Sequence, residues 1–183
     1  MKFKFDVNKT DKDFINFNVF FGTKGPMGKQ INVVLRVLIA VAFLTFFVLD
    51  LYDDGFSMKN LIIASIFDLI PLIILQIFIQ PIYGFILKLL CKILVKGKGK
   101  KPYTESLIVE IYDDYIITIE QYEKTEIQYP AFETIYVVEG NAVYLSVNKN
   151  SATIIPDHCF VSPEQKNEFV EFLKTKSSNV VCY

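Results

Sequence analysis

The chain has 183 residues, of which 52% are hydrophobic, and a formal net charge of −1. This total conceals two oppositely charged parts. Residues 1–102 carry 14 basic and 7 acidic side chains (net +7), whereas residues 103–183 carry 5 lysines and 13 acidic side chains (net −8). The acidic second part argues against nucleic acid as a partner. Three cysteines do not make a disulfide framework, and without a CxxC motif or a Cys/His cluster a zinc site is not expected.

Residues 1–30 are predicted to form a cytosolic leader with a short strand and a helix. Phe3, Phe5 and Val7 alternate with other residues as in a strand. Thr10 stands where the N-cap of a helix is expected. The helix carries a set of phenylalanines that either dock on the cytosolic domain or dip into the membrane interface, and the sequence leaves both open. They are Phe14, Phe17, Phe20 and Phe21.

Two long apolar runs, Ile31–Leu49 and Leu61–Leu87, follow the leader. A membrane span needs about 20 mainly apolar residues. Because backbone amides in lipid must pair within their own segment, each run is predicted to be a helix. The two runs and the acidic turn between them predict a transmembrane helical hairpin over residues 31–95.

The lysines predict the orientation of this hairpin. Six lysines precede the first run and six follow the second, whereas the connecting turn, Asp50–Asn60, carries three aspartates and one lysine. Lysine and arginine are enriched in cytoplasmic segments. We therefore expect a multi-pass protein of the cell membrane, with both termini cytoplasmic and the turn external.

The second helix is too long for one crossing, because residues 61–95 would reach about 50 Å. Pro81 permits a kink near the inner end of the span. Beyond it, the pattern favours an amphipathic helix on the inner leaflet over a straight helix that protrudes into the cytosol. A basic linker, residues 96–102, comes next. The lysines predicted to face lipid headgroups are Lys88, Lys92, Lys96, Lys98, Lys100 and Lys101.

Asp68 is the one acidic residue inside a span, and an intramembrane carboxyl group is a candidate functional residue. Thr45 is near it in depth and could accept a hydrogen bond from its protonated form, whereas Arg36 is too far away in depth to pair with it. Gln76 and Gln80 add polar groups to the second helix. These residues predict a polar track, an oligomer contact or, as the favoured interpretation, hydrogen bonds between the two spans.

Residues 103–176 are predicted to form a cytosolic domain of about six antiparallel strands and one helix, with a tail at 177–183. Asp113-Asp114 and Glu139-Gly140-Asn141 are predicted hairpin turns, and Ser162 is the N-cap of the helix. We expect a curved antiparallel sheet closed by the helix, as in a pleckstrin-homology fold. So small a domain is expected to borrow surface from the N-terminal strand or the membrane. The predicted strands are Leu107–Tyr112, Tyr115–Tyr122, Thr125–Tyr129, Thr134–Val138, Ala142–Val147 and Thr153–Ile155.

Groups with chemical potential are few in this domain. His158 is the only histidine, and its neighbour Cys159 would point to the opposite side of a strand, so a catalytic dyad is not expected. Several carboxylates predict a solvated face, with a weak cation site as the alternative. Six tyrosines predict cross-strand packing, with partner binding as the alternative. The carboxylates are Asp113, Asp114, Glu120, Glu123 and Glu126, and the tyrosines are Tyr112, Tyr115, Tyr122, Tyr129, Tyr136 and Tyr144.

Three parts of the chain have a recognisable arrangement: Lys2–Phe21, the hairpin and, above all, Ser151–Lys174. In the last of these, Ile-Pro precedes an aromatic residue and a serine-capped acidic helix that ends in Phe-Leu. With these parts the chain resembles the YcxB-like family of small bacterial membrane proteins. The resemblance implies a two-span hairpin with a sheet-plus-helix domain and supplies no catalytic residues. The family more often has a basic residue where this chain has Asp157-His158, which argues against a basic ligand site there.

From these features we expect a non-enzymatic, membrane-anchored interaction or regulatory module without a cofactor. Its domain would engage a protein, a peptide or the lipid surface, and its acidic charge favours a protein partner. The alternative is an oligomeric transport or channel component, whose second helices line a polar path with Asp68, Gln76 and Gln80. Two spans cannot enclose such a path alone, so this alternative requires a homo-oligomer.

Overall fold

The computed structural model describes residues 1–97, 101–121, 123–148 and 151–183. It divides into two compact units. The sheet unit contains Met1–Asn18 and Leu90–Tyr183, and the helical unit contains Val19–Leu89. Three sequence-based predictions lie outside the described residues: the headgroup lysines Lys98 and Lys100 and the tyrosine Tyr122.

Four helices precede the main run of strands. The helices are α1 (Asp11–Thr23), α2 (Pro26–Asp54), α3 (Met58–Ala64) and α4 (Ile70–Lys96). A π-helical turn, Ser65–Leu69, joins α3 to α4. Two segments are long and apolar enough to cross a membrane, Pro26–Asp53 and Met58–Lys96. The prediction of two long apolar helices is therefore confirmed.

The second apolar segment contains an irregularity that the sequence did not predict. Helix α4 continues through Pro81 to Lys96 without a break in its helical structure. The departure from α-helical geometry lies earlier, in the turn Ser65–Leu69, where each hydrogen bond spans one residue more than in an α-helix. Asp68 lies in this turn. The π-helical turn is therefore a feature of this segment that its sequence did not indicate.

The strands of the sheet unit form two four-stranded sheets. In the first sheet the order is β1-β2-β3-β4, and all neighbours are antiparallel. Its strands are β1 (Phe3–Asn8), β2 (Ser106–Ile111), β3 (Tyr115–Ile119) and β4 (Lys124–Gln128). In the second sheet the order is β7-β6-β5-β8. Its strands are β5 (Thr134–Val138), β6 (Ala142–Asn148), β7 (Ser151–Pro156) and β8 (Val180–Cys182).

Six of these strands, β2 to β7, correspond to the six that the sequence predicts, and two more come from the ends of the chain. The leader strand β1 pairs with β2, so the leader completes the first sheet. The C-terminal strand β8 pairs in parallel with β5, with Val180 opposite Ile135. The second sheet is therefore mixed, whereas an antiparallel sheet was expected. The α+β class is confirmed at this coarser level.

The core of the sheet unit lies between the strands and the C-terminal helix α5 (Pro163–Lys176). The side chain of Ser162 caps this helix by accepting a hydrogen bond from the backbone N–H of Gln165. Phe169 and Leu173 are fully buried on its inner face. The Phe5 ring of β1 packs edge-to-face on Phe169, with ring centroids 5.1 Å apart. The N-terminal strand thus supplies core surface to the domain, as the small size of that domain led us to expect.

Candidate functional site

Arg36 of α2 and Gln76 of α4 are joined by two hydrogen bonds. Arg36 Nη1 donates to the Gln76 carbonyl oxygen at 2.8 Å, and Gln76 Nε2 donates to the Arg36 carbonyl oxygen at 2.9 Å. Arg36 Nε also donates to Oδ1 of Asn32, one turn earlier in α2. Gln76 thus forms hydrogen bonds between the two apolar helices. The sequence analysis favoured this interpretation over a polar track.

The Asp68 carboxyl group has a different neighbour from the one expected. It lies close to the carboxyl group of Asp50 in α2. Its Oδ2 atom is buried and has no hydrogen-bond partner among the described residues. The Thr45 hydroxyl donates to the Val41 carbonyl oxygen of its own helix at 2.8 Å. Sequence reasoning missed Asp50 because it assigned this residue to the turn, whereas α2 continues to Asp54.

The predicted headgroup lysines divide into two groups. Lys88, Lys92 and Lys96 are exposed on α4. Lys101, in contrast, is engaged within the sheet unit. Its Nζ lies 2.7 Å from Oε1 of Glu105 and 3.5 Å from Oδ1 of Asp11. Ion pairs of this kind at the surface are weak, but they give Lys101 acidic neighbours that compete with a lipid phosphate.

Most of the described tyrosines pack inside the sheet unit. Tyr129, Tyr136 and Tyr144 are buried, and Tyr136 and Tyr144 are direct partners on β5 and β6. Tyr112 and Tyr115 are half-exposed and stack on each other with ring centroids 4.8 Å apart. Cross-strand packing therefore accounts for Tyr136 and Tyr144, whereas Tyr129 lies in a short 3₁₀ turn and packs on Phe172. Of the six tyrosines considered in the sequence, Tyr112 and Tyr115 are the described ones that keep aromatic surface exposed for a partner.

The leader helix α1 docks on the second sheet. Phe17 packs edge-to-face on Tyr144 with ring centroids 5.5 Å apart. Asn16 Nδ2 donates to Oδ1 of Asn141 at 3.0 Å, and Asn141 Nδ2 donates to the Tyr144 hydroxyl oxygen at 2.9 Å. For Phe17 the structure thus selects docking on the domain over insertion into the membrane interface.

His158 and Cys159 form no catalytic arrangement in the described structure. His158 Nε2 lies 3.2 Å from the Asn8 carbonyl oxygen, and its Nδ1 lies 4.0 Å from Oδ1 of Asp13 in α1. Burial raises the pKa of the Cys159 thiol to about 11, so this thiol is a poor nucleophile at neutral pH. The described part of the chain contains no group of three or more His, Cys, Asp or Glu residues able to hold a metal ion.

A groove that the sequence did not predict lies on the sheet unit, between α5 and the edge formed by β5 and β8. Its volume is about 790 Å³. Val137, Phe160 and Val170 contribute apolar surface to its wall, and Tyr183 closes one side. Val161, at its margin, is 90% exposed. Sequence reasoning missed this groove because one wall is β8, which was expected only as a tail.

The charges in the groove are mostly paired with each other. Lys166 Nζ lies 2.7 Å from Oδ1 of Asp157, and Lys174 Nζ lies 2.7 Å from Oε1 of Glu171. Glu139 is exposed and forms no ion pair with any residue that the structure describes. The unneutralised charge of the groove is therefore a carboxylate, in a part of the chain with net charge −8.

Most of the groove wall is supplied by the stretch from the end of β2 to the body of α5. Residues 111–173 match the family model of the YcxB-like proteins. This segment is YcxB-like. The resemblance expected from the sequence is thereby confirmed for about a third of the chain. The YcxB-like segment contains Glu139, Phe160, Lys166 and Val170 of the groove, whereas β1, the apolar helices and β8 lie outside the matched residues. No curated protein and no solved structure matches the chain.

Proposed function

We propose that the chain is an integral membrane protein with two spans, which holds its sheet unit at the inner face of the cell membrane. There the unit binds a segment of a partner protein and catalyses no reaction. The lysines that flank the apolar runs support this orientation. The six sequential strands β2 to β7, followed by α5, support a pleckstrin-homology-like arrangement for the sheet unit.

Membrane insertion is supported by the apolar side chains that remain exposed along both long helices. Val33, Phe67 and Ile77 are 61%, 70% and 65% exposed. In the most apolar 18-residue stretch of α2, none of the residues is buried. In the corresponding stretch of the second segment, Met58–Lys96, 17% of the residues are buried. Such continuous apolar surface needs a cover, and a bilayer covers helices that are apolar on all sides.

The observation that carries the binding proposal is the groove between α5 and the β5–β8 edge. Its apolar wall of Val137, Phe160 and Val170 suits an apolar side chain of an extended protein segment. The unpaired Glu139 carboxylate favours a lysine or arginine beside that side chain. The partner that fits this groove is therefore a protein segment in which an apolar residue adjoins a basic one.

The experiment uses the full chain in lipid nanodiscs and a displayed library of random peptides. We expect selection to enrich peptides with a basic residue next to an apolar one. Glu139→Gln should weaken the best of them by about threefold to fivefold, the effect of losing one partly exposed ion pair. Glu126→Gln, which removes an exposed carboxylate from β4, is the matched control and should leave the affinity unchanged. Enrichment of acidic peptides, or equal binding to both variants, would contradict the proposal.

The transport alternative rests on the two neighbouring carboxyl groups. Asp68 and Asp50 face each other near the end of the apolar helices, at a π-helical turn, and π-helical turns are frequent at functional sites. This alternative predicts that Asp68→Asn changes an ion flux or a proton-dependent phenotype at unchanged membrane levels. It has less support than the binding proposal, since Gln76, which it needs in the path, is hydrogen-bonded to Arg36.

A further inference from the structure

Arg36 places a positive charge inside an apolar run without a counter-charge. It lies five residues after Ile31, where the run begins, and therefore about 8 Å along the helix axis. Arginine stays charged in proteins. Its acceptors, Oδ1 of Asn32 and the carbonyl oxygen of Gln76, are neutral. Within the described ranges of the chain, no carboxylate forms an ion pair with Arg36.

The Arg36 side chain borders a cleft of about 620 Å³ between α2 and α4. Besides Arg36 and Gln76, all lining residues are apolar, among them Ala40 and Leu72. Ala40 lies four residues beyond Arg36, and Leu72 lies four residues before Gln76 on the antiparallel helix. The apolar wall therefore extends about 6 Å further from the N-terminal end of α2 than the Arg36–Gln76 pair does. The cleft combines a cation at one end with a hydrocarbon-like wall behind it.

The polar face of α2 connects this cation with the beginning of the helix. Lys29, Asn32 and Arg36 are spaced by three and four residues, so they lie on one face. The hydrogen bond from Arg36 Nε to Asn32 directs the guanidinium group toward the N-terminal end of α2. Long cationic side chains near the ends of spans reach toward the membrane interface in this way. Exposed Lys29 then adds a second positive charge on the same face.

We propose that this cleft binds an anionic phospholipid. The lipid phosphate lies against the Arg36 guanidinium group, and one acyl chain runs along the wall that includes Ala40 and Leu72. A free inorganic anion would leave that apolar wall uncovered, whereas a lipid satisfies both parts of the cleft. The inference rests on one part of the proposed function, namely that the two apolar helices lie in a bilayer.

The test uses tryptophan fluorescence, since the chain contains no tryptophan. Phe78→Trp places a probe on α4 next to Ile77 of the cleft. The protein is reconstituted in vesicles of nine parts phosphatidylcholine to one part phosphatidylglycerol, with bromine on the acyl chains of only one lipid. We expect brominated phosphatidylglycerol to quench the tryptophan fluorescence more strongly than its share of the vesicle lipid predicts. The quenching should correspond to a phosphatidylglycerol fraction beside the probe that is about fivefold above the bulk fraction, because one cation near the surface attracts an anionic lipid with about 1 kcal/mol. Quenching that matches the bulk fraction would overturn the proposal.

Variants in the Phe78→Trp background assign the enrichment to Arg36. Arg36→Gln should return the local fraction of phosphatidylglycerol to the bulk value, and Arg36→Lys should keep part of the enrichment. Lys59→Gln is the control, because it removes a cation beside the turn between the apolar helices. It should leave the enrichment of phosphatidylglycerol unchanged. Undiminished enrichment in Arg36→Gln would overturn the lipid site. A further measurement uses vesicles in which all phosphatidylcholine is brominated. Quenching in these vesicles shows that the probe lies in the bilayer, as the proposed function requires, even if the lipid site is absent. No quenching would instead show that the helices are outside the bilayer and that the proposed function fails.

Discussion

Phe5 and Val109 are direct partners on the adjacent strands β1 and β2, although both apolar helices lie between them in the chain. Both side chains are fully buried. Strands paired in one sheet must lie on the same side of a membrane, because an open sheet cannot extend into lipid. Any membrane crossings between Phe5 and Val109 must therefore be even in number. Two crossings, one for each apolar helix, meet this requirement, whereas a single crossing does not.

The first prediction concerns accessibility on the two sides of the membrane. Single cysteines are placed at Lys12, Ser57 and Ser151, three exposed positions, after the native cysteines have been replaced by alanine. A membrane-impermeant maleimide should label only Ser57→Cys in intact cells, and all three after permeabilisation. Labelling at Lys12 and Ser151 but not at Ser57 would invert the orientation. Different results for Lys12 and Ser151 would contradict the shared sheet itself.

The second prediction concerns the contribution of the leader to the stability of the sheet unit. Phe5→Ala should lower the free energy of unfolding by about 3–5 kcal/mol, as expected for an aromatic side chain removed from a core. Lys4→Ala, on the exposed face of β1, removes only the surface ion pair with Glu110 and should cost at most about 1 kcal/mol. Denaturant titration of the full chain in micelles, followed by tyrosine fluorescence, measures both. Equal effects would show that β1 does not complete the core.

Local patterns were sufficient to predict most of the elements, but not all of their partners. The alternation of Phe3, Phe5 and Val7 predicts a strand, and Thr10 predicts the start of α1. That β1 pairs with β2 depends on contacts about 100 residues apart in sequence, which no local pattern encodes. The Asn16–Asn141–Tyr144 hydrogen bonds, which link the leader to the second sheet, are non-local for the same reason.

The two unpredicted features of the candidate sites have particular physical causes. Strand β8 contains only Val180–Cys182, too short for a recognisable alternation, and its parallel pairing with β5 needs no adjacent turn. The groove depends on β8 and was missed with it. Asp50 was assigned to a turn because it ends the apolar run, yet α2 continues to Asp54 and the left-handed Gly55 follows. The change from apolar to polar residues at Asp50 therefore did not coincide with the end of α2.

The third prediction separates hydrogen bonding between helices from a polar path. Gln76→Ala removes the bond to the Arg36 carbonyl oxygen and should destabilise the helical unit by about 0.6–1.7 kcal/mol, the range for hydrogen bonds between helices in membranes. Gln80→Ala is the matched control, because the structure gives Gln80 no hydrogen-bond partner among the described residues. Its effect should stay within about 0.5 kcal/mol. Detergent titration followed by circular dichroism compares the variants. A larger loss for Gln80→Ala would contradict this assignment of roles.

The last prediction concerns the reactivity of the thiols. Cys182 is exposed at the end of β8, whereas Cys159 is half-buried after β7. Burial raises the pKa of Cys159 from 9.0 to about 11, so only about one thiol in a thousand is ionised at pH 8. In a Cys91→Ala background, iodoacetamide should therefore modify Cys182 first. The rate at Cys159 should rise about tenfold for each pH unit up to about pH 11, because the thiolate is the reactive form.

The raised pKa of Cys159 also fixes the sign of its effect on stability. The folded chain favours the neutral thiol, so the stabilisation is fully present below about pH 9 and is lost as the pH rises through about 11. Unfolding titrations between pH 8 and pH 11 should therefore show a smaller loss of stability in Cys159→Ala than in the unsubstituted chain. Mass spectrometry after brief alkylation identifies which cysteine reacts. Modification of Cys159 at the rate of Cys182 at pH 8 would show that the loop after β7 opens readily and leaves this thiol in water.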